Sequence, residues 1–219
     1  MRDEQYALAL GDDGMLAGTF TSTMNGAYAD RLRERLLNEP KGRHREIAHD
    51  EIAFMDPVIT EVTFTNAAPP EQVTPVTAQG RIQIHLVRGG LTGGDVLLRA
   101  RALLGAPFPA VDLTVDGAPR EGPFWLGHQR TARERLSIKL PPSLRAGRLP
   151  TPVSLDSPFG SYRQEWRVSE DGHTIELVRE STRLLRLVPA EQVTALHDFA
   201  RQVLSADEEP LALVEAEGP

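Results

Sequence analysis

The chain has 219 residues, with 24 Lys and Arg against 31 Asp and Glu, a net charge of −7 and no cysteine. A pI near 5.4 argues against a nucleic-acid or anionic-membrane partner, since either needs a basic patch. The lack of cysteine excludes disulfides, thiolate metal sites and a cysteine nucleophile within these residues. Hydrophobic residues at 40% and charged residues at 25% are ordinary for a soluble globular protein with a real core.

Taken in order, Tyr6–Leu10 and Leu16–Thr23 flank the turn residues Gly11 to Gly14 and read as a hairpin. The opening Met1 to Gln5 has no apolar core segment, so no signal peptide is expected in this chain. No apolar run approaches the ~20 residues that span a bilayer. The compartment stays open: periplasmic if the chain belongs to an exported parent protein, otherwise cytoplasmic. A helix is expected from Ala27, ended by Asn38 to Pro40, and a second over His44 to Met55, stopped by Asp56 and Pro57.

After Pro57 the pattern turns to β. Val58, Thr60, Val62 and Phe64 share one phase, and Ile82, Ile84 and Leu86 another, with a break at Ala67–Pro70 between them. Gly89 to Gly94 reads as a connection; as a phosphate cradle it lacks a following Lys and Ser/Thr. Val96–Leu104 suits helix by composition and strand by position, and strand is the reading adopted. Residues 107–125 are expected to be irregular, Thr131–Leu140 a strand, and Ser143–Pro152 a loop.

The clearest signal is Phe159–Ala206. Tyr162, Gln164, Trp166 and Val168 alternate with Arg163, Glu165 and Arg167, Asp171 and Gly172 suit a tight turn, and Ile175 and Leu177 open a second strand. Arg179, Ser181 and Arg183 break that phase, which predicts a bulge or a switch of covered face. Pro189 ends the strand and starts a helix with Val193, Leu196, Ala200 and Val203 at helical spacing. Leu211–Val214 reads as a returning strand.

The implied fold is a β-dominated α+β protein: antiparallel, sandwich-like sheets with a helical pair near the N-terminus and a C-terminal helix packed on a sheet. Residues 1–140 and 141–219 form two units divided at Pro141 and Pro142, or one composite domain.

Chemistry is harder to find. Phe159 to Tyr162 lacks the second glycine of a nucleophile elbow, and its Ser161 opens a strand. His44, Glu46, His49, Asp50 and Glu51 are dense in metal-ligand types, but two His five apart diverge by about 140° on a helix. A solvated helix face accounts for them, with a hydrolase using His44, Glu46, His49 or Asp50 as the competing reading. Phe124, Trp125, Tyr162 and Trp166 would serve either as core or as a stacking platform for a glycan. The arginines and glutamates of the 159–183 hairpin suit a solvated face of cross-strand ion pairs, or a binding surface. No catalytic, cofactor-binding or metal residue is assigned.

One resemblance covers most of the chain. Gly14 to Thr23 leading into Gly26 to Arg33, then Leu140 and Pro141, Leu149 to Val153, Tyr162 to Trp166, Thr174 to Leu177, Arg179, and Val188 to Glu191 through Phe199 resemble the C-terminal, non-catalytic region of bacterial transglutaminase-like proteins. That resemblance implies a non-enzymatic accessory domain. Its partner would be a transglutaminase-like, papain-like catalytic core, in cis if the chain is a fragment or in trans if it is a separate gene product. The family's Cys, His and Asp belong to that core and have no counterparts here. A carbohydrate- or ligand-binding β-sandwich module is the alternative, and no cofactor is expected.

Overall fold

The computed structural model describes residues 1–67, 74–86, 96–115, 118–119, 121–127, 129–185 and 187–216. The expected connection at Gly89 to Gly94 and most of the Ala67–Pro70 break lie outside them.

The N-terminal half contributes β1 (Arg2–Leu10), β2 (Met15–Met24), α1 (Ala27–Asn38), α2 (His44–Glu51), β3 (Val58–Thr65) and β4 (Val76–His85). Then come β5 (Val96–Leu98), α3 (Ala100–Leu104), the two-residue strands β6 (Thr114–Val115), β7 (Ala118–Pro119) and β8 (Phe124–Trp125), and β9 (Arg130–Lys139). The chain closes with β10 (Leu144–Ala146), β11 (Val153–Ser157), β12 (Gly160–Val168), β13 (Thr174–Arg183), β14 (Leu187–Val188), α4 (Val193–Glu208) and β15 (Leu211–Glu215). Among the described residues no helix is long and apolar enough to cross a membrane.

Eight strands build one sheet in the order β11–β12–β13–β9–β1–β2–β4–β3. Neighbours are antiparallel except at the centre, where β1 and β9 run parallel with Tyr6 opposite Leu136. A hairpin cannot close a parallel pair, and here the chain from Leu10 to Arg130 makes the crossover. This seam joins residues on both sides of Pro141 into one sheet, because β9 also pairs with β13.

Alternation buries one face of the sheet and exposes the other. Tyr6, Leu8, Leu16, Phe20, Ile82, Leu136, Ile138, Trp166, Ile175 and Leu177 point inward. A smaller sheet, β10–β15–β5, and α3 cover them with Leu144, Leu211, Leu213, Val96, Leu98 and Leu103, forming one core. The β-dominated, sandwich-like α+β architecture is thus as expected, with its helical pair and docked C-terminal helix. That helix lays Val193, Leu196, Phe199 and Val203 against Phe108, Leu126, Phe159 and Tyr162 in a second core. Each such side chain contributes about 1.5–3 kcal/mol by leaving water. A third, smaller core joins Met24 and Val76 to Ala29, Leu32 and Ile47 of the helical pair.

Local departures have local causes. α2 stops at Glu51, four residues short of Met55, because Ile52 turns extended and the Ala53 N–H is taken by the Glu4 carboxylate. In β3 a bulge between Ile59 and Glu61 breaks the expected phase, so Ile59 is buried and Val58 is exposed. Val96–Leu104 divides into strand and helix at Arg99. Among its described residues the 107–125 region holds three short strands, and β10 lies inside the expected 143–152 loop. β13 keeps register with β9 from Thr174 to Arg183 and with β12 from Ile175 to Arg183, with neither bulge nor face switch. Gly172 turns the β12–β13 hairpin at φ 76°, a conformation glycine adopts without penalty.

Candidate functional site

The intact register of β13 sends Arg179 and Ser181 inward. Cross-strand neighbours then form one row across all eight strands: Phe64, Ala78, Ser22, Glu4, Glu134, Arg179, Gln164 and Val153. Five consecutive members are polar and buried, inside a face that is otherwise largely apolar. The row lies between the main core, with Tyr6, Leu136, Leu177 and Trp166 on one side, and the two smaller cores, with Met24 and Tyr162 on the other.

Burying charge is costly unless every group is paired and hydrogen-bonded. Glu4 is fully buried. It accepts from the Tyr6 hydroxyl (3.0 Å), the Ser22 hydroxyl (3.0 Å) and the Ala53 N–H (3.0 Å). Arg2 connects it to its neighbour across the seam, with nitrogens 3.5 Å from Glu4 and 3.5 Å from Glu134, and donates to the Glu51 carbonyl at 3.0 Å. Glu51 in turn accepts from Arg31 (2.8 Å) and Arg35 (2.9 Å) of α1. Glu51 thereby joins both helices to the sheet: its backbone carbonyl takes Arg2 of β1, and its carboxylate holds α1.

Arg179 occupies the other half of the row. Its Nε lies 3.3 Å from Glu134 and its Nη1 3.3 Å from Asp207 of α4, while Nη1 and Nη2 donate to the Gly105 (2.8 Å) and Leu104 (2.9 Å) carbonyls. Asp207 also accepts from the Tyr162 hydroxyl at 2.5 Å. The hydrogen-bonding pattern sets the Gln164 amide nitrogen toward Asp207 (3.0 Å) and its oxygen toward the Trp166 indole N–H (2.9 Å). One guanidinium therefore holds β9, β13, the end of α3 and the end of α4 together.

Burial pushes the Glu4 carboxyl above the usual carboxylate range, outweighing the nearby Arg2 cation. Burial does the same to Asp207 against the pull of Arg179 and Tyr162. Burial, then the Asp207 charge, raises the Tyr162 phenol. A carboxyl whose folded pKa is raised contributes stability below its unfolded pKa and loses it as pH rises through the folded value. Asp50 and Asp171 act in the opposite sense, held low chiefly by hydrogen bonds from Arg35 and Ser169. Their contribution is lost as pH falls through their depressed values. Thermal stability is therefore expected to peak on the acid side of neutrality, at about pH 4–6 around the ordinary carboxylate range. Melting temperatures across a pH series check this, and Glu4→Gln is expected to flatten the alkaline limb. A maximum above pH 8, or an unchanged limb in Glu4→Gln, would contradict the assignment.

The row is built for cohesion, since each carboxylate faces several donors. Asp207 also lines a cavity of about 210 Å³ between α4 and residues 106–111.

The residues singled out by spacing are dispersed. Glu46 pairs with Arg43 (2.8 Å) and Asp50 with Arg35 (2.7 Å). The His44 ring stands edge-on to Phe64 at 5.5 Å, and His49 lies 3.7 Å from Asp50. Among the described residues no group of three or more metal-ligand side chains converges. Of the four aromatics, Tyr162 and Trp166 are core, Phe124 packs on the second core, and Trp125 is exposed opposite Leu187. Ser161 lies opposite Thr182 on the outward-facing side of β12.

Apart from the inward-pointing Arg179 and Arg183, the hairpin charges face outward. Glu180 lies between Arg163 and Arg133 across the strands, with Asp3 beyond, so signs alternate along the row. Arg133 meets Glu180 at 2.7 Å, Arg135 meets Asp3 at 3.1 Å and Arg167 meets Glu165 at 2.8 Å.

The buried network went unread in the sequence, although a signal for it was present. Glu4 keeps the phase of Tyr6 and Leu8, Glu134 that of Leu136 and Ile138, and Asp207 follows Val203 by one helical turn. A polar residue repeatedly in apolar phase marks a buried polar layer. No protein-family model matches the chain, and neither a curated protein nor a solved structure matches it significantly.

Proposed function

We propose that this chain is a non-enzymatic accessory domain that packs against a transglutaminase-like catalytic core, in cis or in trans. The supporting observation is the division of labour between the two faces of the large sheet. The inner face is committed to core and to buried polar groups that are mostly paired with one another. The outer face presents alternating rows, such as Arg163, Glu180, Arg133 and Asp3, that suit a partner surface of complementary charge.

Titration calorimetry with a purified papain-like Cys-His-Asp domain encoded in the same frame or an adjacent gene tests this. Binding is expected, and the pair Arg133→Glu and Arg163→Glu should weaken it about tenfold or more with little change in melting. Absence of binding, or transferase or hydrolase turnover by the chain by itself, would overturn the reading.

A further inference from the structure

The cavity beside α4 is built from two unlike layers. Its deeper walls are apolar: Phe108, Pro109 and Val111 on one side, Ala200 and Val203 of α4 on the other. Its lip is cationic. At 3.6 residues per turn, His197, Arg201 and Leu204 share a stripe of α4 set outside that of Ala200 and Val203, and Arg101 lies at the far end.

The basic side chains at the lip differ in how they are engaged. Arg101 meets Glu208 at 3.1 Å, and His197 lies 3.3 Å from Asp198. Arg201 is exposed and makes no ion pair among the described residues. At the inner end the Asp207 carboxylate, already taken by Tyr162 and Arg179, disfavours a second anion at depth. An anionic group is thus favoured at the lip and an apolar one inside. A volume of about 210 Å³ is below the ~300 Å³ typical of sites for drug-sized ligands.

We propose that this groove is a binding site for a small amphiphilic carboxylate, its apolar tail between Phe108 and Val203 and its carboxylate at Arg201. This goes beyond the accessory reading and stands independently of it, because the groove lies on α4 and the docking rows on the opposite, outward face of the sheet.

Sodium octanoate is the probe, followed by amide chemical shifts of the labelled full chain. Saturable shifts confined to residues 106–111 and 197–207 are expected, with a Kd in the millimolar range or below. Arg201→Glu is expected to raise that Kd about tenfold, as loss of a charge-assisted pair would. Ala200→Trp, which fills the groove from a half-buried position, is expected to abolish binding. Both variants should melt near the parent temperature; if Ala200→Trp does not fold, Leu204→Glu, at an exposed position beside Arg201, replaces it, with a lesser loss of octanoate affinity expected. Equal affinity for octylamine or octanol would overturn the assignment of the anionic head. Non-saturating shifts, shifts spread over the surface, or octanoate binding unchanged in both groove variants would overturn the site.

Discussion

Arg179→Met is expected to destabilise the fold by about 3–5 kcal/mol, the usual cost of leaving buried charges without their partner. The substitution keeps most of the side-chain volume, so a cavity would not account for the loss. Four groups depend on this guanidinium: the Glu134 and Asp207 carboxylates and the Leu104 and Gly105 carbonyls. Arg179→Lys is expected to recover only part of the loss, because a single ammonium cannot direct a planar fork at all four. Urea unfolding gives the numbers. Adding Glu134→Gln and Asp207→Asn to Arg179→Met should restore stability relative to Arg179→Met, since no uncompensated charge then remains inside. A loss below about 1 kcal/mol in Arg179→Met would place the network with ordinary surface ion pairs.

Leu196→Asp is expected to prevent folding under native conditions. Leu196 is fully buried on the face of α4 that meets the second core. The charge would enter a layer formed by Phe108, Phe159, Val193 and Val203, with no donor placed to receive it. Burying an ionised carboxylate there costs several kcal/mol beyond the lost apolar contact, against a total stability of about 5–15 kcal/mol for a typical domain. Far-ultraviolet circular dichroism and amide dispersion report the outcome directly. A variant that melts like the parent would show that α4 does not dock through Leu196. The conservative Leu196→Ala, with a loss of about 2–5 kcal/mol, distinguishes docking from general intolerance at this position.

These two residues differ in how legible they were. Leu196 belongs to a helical stripe with Val193, Ala200 and Val203, and periodicity is a local property that any window of the chain carries. Arg179 was visible only as an interruption. Its meaning depends on Glu134, 45 residues away, on Asp207, 28 residues away, and on two carbonyls near residue 105. No local pattern encodes partners brought together by strand order. The same holds for α2, which ends at Glu51 because the next segment is claimed by Glu4 of β1.

The His44 to Glu51 segment shows the converse. Ligand-type residues clustered in sequence, yet the fold placed Arg43 beside Glu46 and Arg35 beside Asp50. The arginine of α1 that reaches Asp50 crosses from a different helix, which spacing along α2 could not foresee.

Composition and periodicity by themselves determined the β-dominated class, both hairpins, the helical pair, the C-terminal helix and most of the core. Alternation and 3.6-residue spacing report which side of an element faces water, whatever it packs against. The parallel β1–β9 seam, the bulge at Ile59, the charged row across the sheet and the cavity beside α4 were decided by tertiary structure. Each depends on which distant strand or helix becomes a neighbour, and that is settled by the summed burial of the whole chain rather than by any one segment.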